Sequence, residues 1–123
     1  MAIKIATLEK CEEDLAKILQ DWQTWLRVEK NMSKHTFRAY TSDITQFLNF
    51  LADHHGAAIS INNLSDSSVT DFRSWLSKKA LSGAGNASRA RSLSGLKNFL
   101  SWMDTQGIAH NATINHIRAP KLP

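Results

Sequence analysis

The side chains best suited to chemistry in this sequence gather at two stretches that read as helix starts. The first is Ser33, Lys34, His35, Thr36 and Arg38. A helix N-terminus leaves amides unpaired and partly positive, so hydroxyls and cations beside it make a site for phosphate or for entry into a nucleic-acid groove. Lys34, Arg38, Thr41 and Thr45 follow an i, i+4, i+7, i+11 row, expected away from the apolar stripe of that helix. The second stretch is Ala-Ser-Arg-Ala-Arg-Ser at 87–92. Arg91, Ser94 and Asn98 fall on one row there, with Ser88 near the first turn. Arg91 has the planar fork that pairs bidentately with a phosphate or a guanine edge. Arg89 instead points along the Leu93/Leu96 stripe, so it is expected to fold past the helix end or pair internally. Pattern alone leaves the plain reading open for both stretches: a solvated polar face and an ordinary surface helix start.

Other chemistries find little support. His54 and His55 are adjacent and diverge on a helix, and His110 and His116 lack an evident carboxylate or thiol partner, so no metal site and no cofactor are expected. Cys11 is the single cysteine, which excludes an internal disulfide, and no histidine stands near it to activate the thiol. There is no Gly-rich phosphate loop, no Gly-x-Ser-x-Gly and no His-Glu-x-x-His. An enzyme in its own right is therefore rejected.

Positioning these groups requires helices. Leu15, Ile18, Leu19, Trp22, Trp25 and Leu26 recur at three- and four-residue spacing over 12–30. Ser33 then caps a second helix carrying Phe37, Tyr40, Ile44, Phe47, Leu48 and Leu51 until Gly56. Residues 57–66 alternate like a strand but are too few to build a sheet. Ser65 or Asp66 is expected to cap a third helix with Val69, Phe72, Trp75 and Leu76 inside, and Lys78 and Lys79 near its end favour the helix dipole. A fourth helix runs from about Ala87 to Thr105, stopped by Gly107, with Trp102 packing under the C-terminal tail. The expected fold is all-α, a compact bundle of four to five helices.

Composition agrees with one folded domain: 123 residues, 42% hydrophobic and 21% charged. The net charge of +4 is uneven, with ten Lys/Arg against five Asp/Glu over 31–123. A basic surplus in one part of a small domain favours an anionic partner, nucleic acid first. No apolar run is long enough for a membrane span or a signal peptide, so a cytoplasmic protein without membrane partners is expected.

The run Leu26–Leu51 resembles the opening of the core-binding domain of tyrosine recombinases, the phage integrases and Xer-type enzymes. Ser33, Thr36, Ala39, Tyr40, Asp43, Ile44, Phe47, Phe50 and Leu51 match its pattern. Ser88, Ala90, Arg91, Leu93, Ser94, Leu96, Lys97 and Phe99 match a second one. Asn111, Ile117 and Pro120-Lys121-Leu122-Pro123 match the approach to the interdomain linker, whereas Ala112 replaces a usual proline and Arg89 a usual apolar residue.

The resemblance implies a SAM-like bundle over residues 12–118, an N-terminal extension over 1–11, and the start of a linker over 119–123 toward a catalytic domain outside this sequence. It implies half of a clamp on double-stranded DNA, contacted by Lys34, His35, Thr36, Arg38, Ala39, Ser88, Arg91 and Lys97, with Lys121 following the backbone through the linker. Lys34, Arg38 and Arg91 would hold phosphates, and Thr36 and Ala39 would reach base edges or a thymine methyl. The implied partners are duplex DNA, the catalytic domain of the same parent chain, and other recombinase protomers in a synaptic tetramer. Tyr40 reads as structural. A helical adaptor for proteins, without DNA binding, is the alternative, and it would keep an apolar patch exposed. The DNA reading predicts that Arg38→Ala and Arg91→Ala each weaken duplex binding in an anisotropy titration with little loss of thermal stability.

Overall fold

The computed structural model describes residues 9–118. The extension over 1–8 and the linker over 119–123, including Lys121, lie outside them. Among the described residues five α-helices follow in order: α1 (Glu13–Val28), α2 (Lys34–His55), α3 (Ile61–Asp66), α4 (Val69–Leu81) and α5 (Asn86–Thr105), then a 3-10 turn at Ile114–His116. The architecture is all-α, as the periodicity predicts. No helix among the described residues is long and apolar enough to cross a membrane.

The helix ends follow local chemistry. Ser33 Oγ accepts from the Thr36 amide at 3.2 Å and opens α2. Gly56 closes it at φ 68°, a left-handed conformation that costs glycine little because it has no Cβ. The region 57–71 departs from expectation. Ile59 joins Cys11 in an isolated parallel bridge, and the next residues form α3, opened by a Ser60/Asn63 capping box. A second box, Ser68 with Asp71, opens α4, so neither Ser65 nor Asp66 is its cap. Each reciprocal Ser-x-x-Asn/Asp pair satisfies two amides locally, which outweighs a short apolar alternation.

The helices bury Leu15, Leu19, Trp22 and Leu26 of α1 against Phe37, Ile44, Phe47 and Leu51 of α2, with Phe72 and Trp75 of α4 and Leu93, Leu96 and Phe99 of α5 completing the core. Ile18, Trp25 and Tyr40 stand only partly buried at its edge. Phe47 stacks on Phe72 at 5.6 Å and meets Trp75 edge-on at 5.1 Å, which ties α2 to α4. Trp22 meets Phe99 edge-on at 5.0 Å and donates its indole N–H to Asn98 Oδ1 at 3.0 Å. Asn98 is thereby turned toward α1 rather than joining Arg91 on a polar row. Trp102 packs against Trp25 of α1 and Phe99.

α2 and α5 share the most extensive interface of any helix pair. Gly95 makes this possible. A Cβ there would stand 3.1 Å from Tyr40 Cδ1 and 3.4 Å from Cγ, so the tyrosine ring occupies the space of the missing side chain. The Tyr40 ring thus packs directly on the α5 backbone. Tyr40 opposes Gly95 while Asp43 opposes Arg91 and Ser92, so the two helices run antiparallel where they touch.

Asn111 anchors the C-terminal segment. Its buried amide donates to the carbonyls of Leu64, Ser65 and Ser67, and its oxygen accepts from the Thr113 amide, the Thr113 hydroxyl and the Ile114 amide. Asn111→Ala should therefore strand several buried groups and cost about 3 kcal/mol. Urea unfolding monitored by tryptophan fluorescence measures this, and a loss under about 0.5 kcal/mol would show that the segment is not held this way.

Candidate nucleic-acid interface

The site grows from one buried charge. Asp43 is 0% exposed, and a carboxylate so placed needs donors to replace its lost water. Arg91 supplies two of them, Nε at 3.1 Å and Nη2 at 2.9 Å, and the Ser92 hydroxyl a third at 2.9 Å. The Ser92 proton is shared with the Ser88 carbonyl, 3.0 Å away. The Arg91 side chain remains 43% exposed, so it closes the α2–α5 seam like a lid with its outer edge toward solvent. The paired carboxylate raises the Arg91 pKa above its ordinary value through that hydrogen bond.

A second cation stands beside the first. Lys79 donates to Gln46 Oε1 at 2.6 Å and lies 5.4 Å from the Trp75 ring centre. Burial lowers its pKa from the ordinary lysine value, the Asp43 carboxylate works against that shift, and the Arg91 charge adds to it. The three groups therefore share one electrostatic neighbourhood. Lys78 follows, 5.7 Å from the Phe50 ring centre. Gln46, Asn49, Phe50, Trp75, Lys78 and Lys79 line one open cleft between α2 and α4.

Arg91, Lys79 and Lys78 thus meet α2 at Asp43, Gln46 and Phe50 in turn. Those positions span seven residues, roughly 10 Å at helical rise. Thr36 and Ala39 extend the same side of α2, since they lie seven and four residues before Asp43 and so within about 40° of it. At the other end of the seam, α5 begins at Gly85 without a side-chain cap, which leaves its first-turn amides and Ser88 next to this strip. Cations in line with uncapped amides can hold a polyanion.

Residues 19–107 match the phage integrase N-terminal SAM-like domain family. The chain belongs to that family. It is 40% identical over 111 residues to the tyrosine recombinase XerC of Rhodospirillum centenum, covering 90% of this chain and 33% of that protein. It is 34% identical over 112 residues to that of Agrobacterium fabrum, covering 91% and 36%. With that of Brucella suis it shares 31% identity over 123 residues, covering 100% and 39%. The chain spans roughly a third of the length of these relatives. No solved structure matches it significantly.

Within this SAM-like domain the residues singled out from sequence divide. Arg91 stands at the seam on Asp43, Thr36 and Ala39 fall on the same side of α2, and Ser88 lies about one turn before Arg91 on α5. Lys34 and Arg38 are exposed but lie about 180° and 140° around α2 from Asp43, so their backbone positions do not share the side of Arg91. His35 is exposed between the two groups. Lys97 is engaged elsewhere: its ammonium donates to the Ile117 carbonyl at 2.9 Å and holds the C-terminal segment. Thr41, expected on the polar row, is buried and accepts from Gln23 Nε2 at 3.2 Å, because α1 covers that side of α2.

Arg89 donates to Asn86 within its own helix, as one of its two expected fates. His110, expected without a carboxylate, pairs with Asp104 Oδ2 at 2.8 Å across the stop of α5. Burial pushes the Cys11 thiol up to about 11, in keeping with an unreactive sulfur. Spacing missed Lys78, Lys79 and Gln46, since only the packing of α4 on α2 brings residues so distant in sequence together.

The pairing of Arg91 changes what its removal should do. Arg91→Ala leaves Asp43 buried beside a single hydroxyl, and should cost about 2–3 kcal/mol, less than a fully buried pair because Arg91 is partly solvated. Arg38→Ala should stay within about 0.5 kcal/mol. Urea midpoints of the two variants test the contrast, and equal midpoints would mean that the Asp43 pair does not hold the seam.

Proposed function

We propose that this domain is the DNA-grasping part of a site-specific tyrosine recombinase, and that it grips duplex DNA along the α2–α5 seam. The observation that carries this reading is the line of Arg91, Lys79 and Lys78 along one side of α2, beside the uncapped start of α5. Cations spaced over roughly 10 Å suit the phosphates of a duplex groove wall, and Thr36, Ala39 and Ser88 flank that line, where a sugar or base edge would meet them. The XerC proteins that the chain resembles are named as tyrosine recombinases, which gives the grip its use.

In this reading residues 12–118 form the binding domain and 119–123 begin a linker to a catalytic domain of the same parent chain. Lys121 then follows the DNA backbone, and Lys34, His35 and Arg38, which lie around α2 from the main strip, meet other stretches of the phosphate backbone. The nucleophile and its acid–base partners belong to that other domain, so this domain does not cut DNA by itself. Its partners are duplex DNA, the catalytic domain and further recombinase protomers in a synaptic tetramer, in the bacterial cytoplasm. The adaptor reading gains no observation: the exposed large apolar residues among those described are Val28 and Leu81, one each on α1 and α4.

Binding of a random-sequence duplex, followed by fluorescence anisotropy, should weaken with salt at a log–log slope of about −0.9 per phosphate neutralised. Lys78→Ala should reduce that slope by about one unit with no change in melting temperature. A flat salt dependence would overturn the proposal.

A further inference from the structure

We infer that Asp43 is a positioning residue for DNA recognition, fixing the Arg91 guanidinium so that its free edge is presented to a backbone phosphate; this rests on reading the seam as the DNA interface. The case begins with an energetic oddity. A fully buried carboxylate, even when paired, adds little stability that a well-packed apolar residue of similar size could not supply. What it does supply is geometry. Arginine has five N–H donors in a rigid plane. Nε and one Nη2 hydrogen are spent on Asp43, leaving both Nη1 hydrogens and the second Nη2 hydrogen. Two of those, one on each Nη, point side by side off the end of the plane, and the side chain is 43% exposed. Two parallel N–H groups on such an edge match the spacing of two phosphate oxygens.

Asp43 is itself immobilised. It sits on a long helix, and the Ser92 hydroxyl holds the same oxygen that meets Arg91 Nη2. Directly along the seam, Gly95 lets Tyr40 approach α5 closely, which fixes the distance between the two helices. Arg91 is therefore held at both ends, by its own backbone on α5 and by a carboxylate on α2. A free arginine would lose its rotamer freedom only on meeting DNA, whereas this one has lost it beforehand, and preorganisation of that kind strengthens binding.

The test turns on sign. Asp43→Asn removes a negative charge next to the proposed DNA face. Long-range electrostatics alone then predicts tighter binding of a polyanion. Loss of positioning predicts the reverse, because the amide NH₂ cannot accept from Arg91 and the chelate falls to a single bond. We expect Asp43→Asn to bind a random-sequence duplex about ten-fold more weakly than the parent. The titrations are made at a temperature where thermal melts show both proteins folded. Its salt slope should match the parent's, since Arg91 keeps its charge.

Arg91→Lys gives an independent reading should Asp43→Asn fail to fold. It keeps the charge but cannot chelate, and we expect a similar loss. The double variant should bind no more weakly than either single one. Binding by either single variant that equals or exceeds the parent's overturns the inference. Failure of the parent to bind duplex DNA even at low salt overturns the DNA reading itself, and this inference with it.

Discussion

The close crossing of α2 and α5 is the constraint on which the rest of the molecule depends. Two helices approach this closely only if one gives up a side chain, and Gly95 does so under the Tyr40 ring. One turn further along, the same crossing buries Asp43, and a buried carboxylate must be neutralised where it lies. Arg91 and Ser92 do this from α5. Apolar packing brings the helices together, while the charge pair fixes their register, because sliding either helix by a residue would separate the carboxylate from its donors.

From this crossing the position of the cations follows. α4 reaches α2 through the stacking of Phe47 on Phe72 and the edge contact with Trp75. That docking sets the end of α4 beside Gln46 and Phe50, so Lys79 and Lys78 continue the line that Arg91 begins. The far side of the bundle serves a different purpose. Asn111 pins the segment after α5 against the α3–α4 junction, and the Lys97–Ile117 bond ties its end back to α5. The segment after α5 is thereby held in place as far as Ile117.

Family membership and site geometry bear on different questions. The match over residues 19–107 assigns the domain type, and identities of 31–40% with XerC proteins support a recombinase context. Neither says which side of α2 faces a ligand. The proposed face is the one where charge and exposure coincide, at the α2–α5 seam.

Much of the fold was legible in the sequence, and for a local reason. Apolar periodicity, the Ser33 cap and the Gly56 and Gly107 stops depend on neighbours within one or two turns, so α1, α2 and α5 emerged with nearly their observed bounds. The two capping boxes were also written locally, at Ser60–Asn63 and Ser68–Asp71, but the alternation around Ile59 obscured the first. The seam motif was visible as residue types in order, Tyr40 and Asp43 on one helix, Arg91 on another. Their mutual contacts were not. Which of two borderline positions a helix buries depends on where its neighbours cross it: Thr41 and Asn98 looked polar and outward, yet α1 covers both. Lys34 and Arg38 kept their exposure but not their expected company. The sequence by itself determined α1, α2 and α5, their ends and the kind of domain. Tertiary structure alone decided which cations stand together, because that depends on the crossing of helices whose residues lie 30 to 50 positions apart.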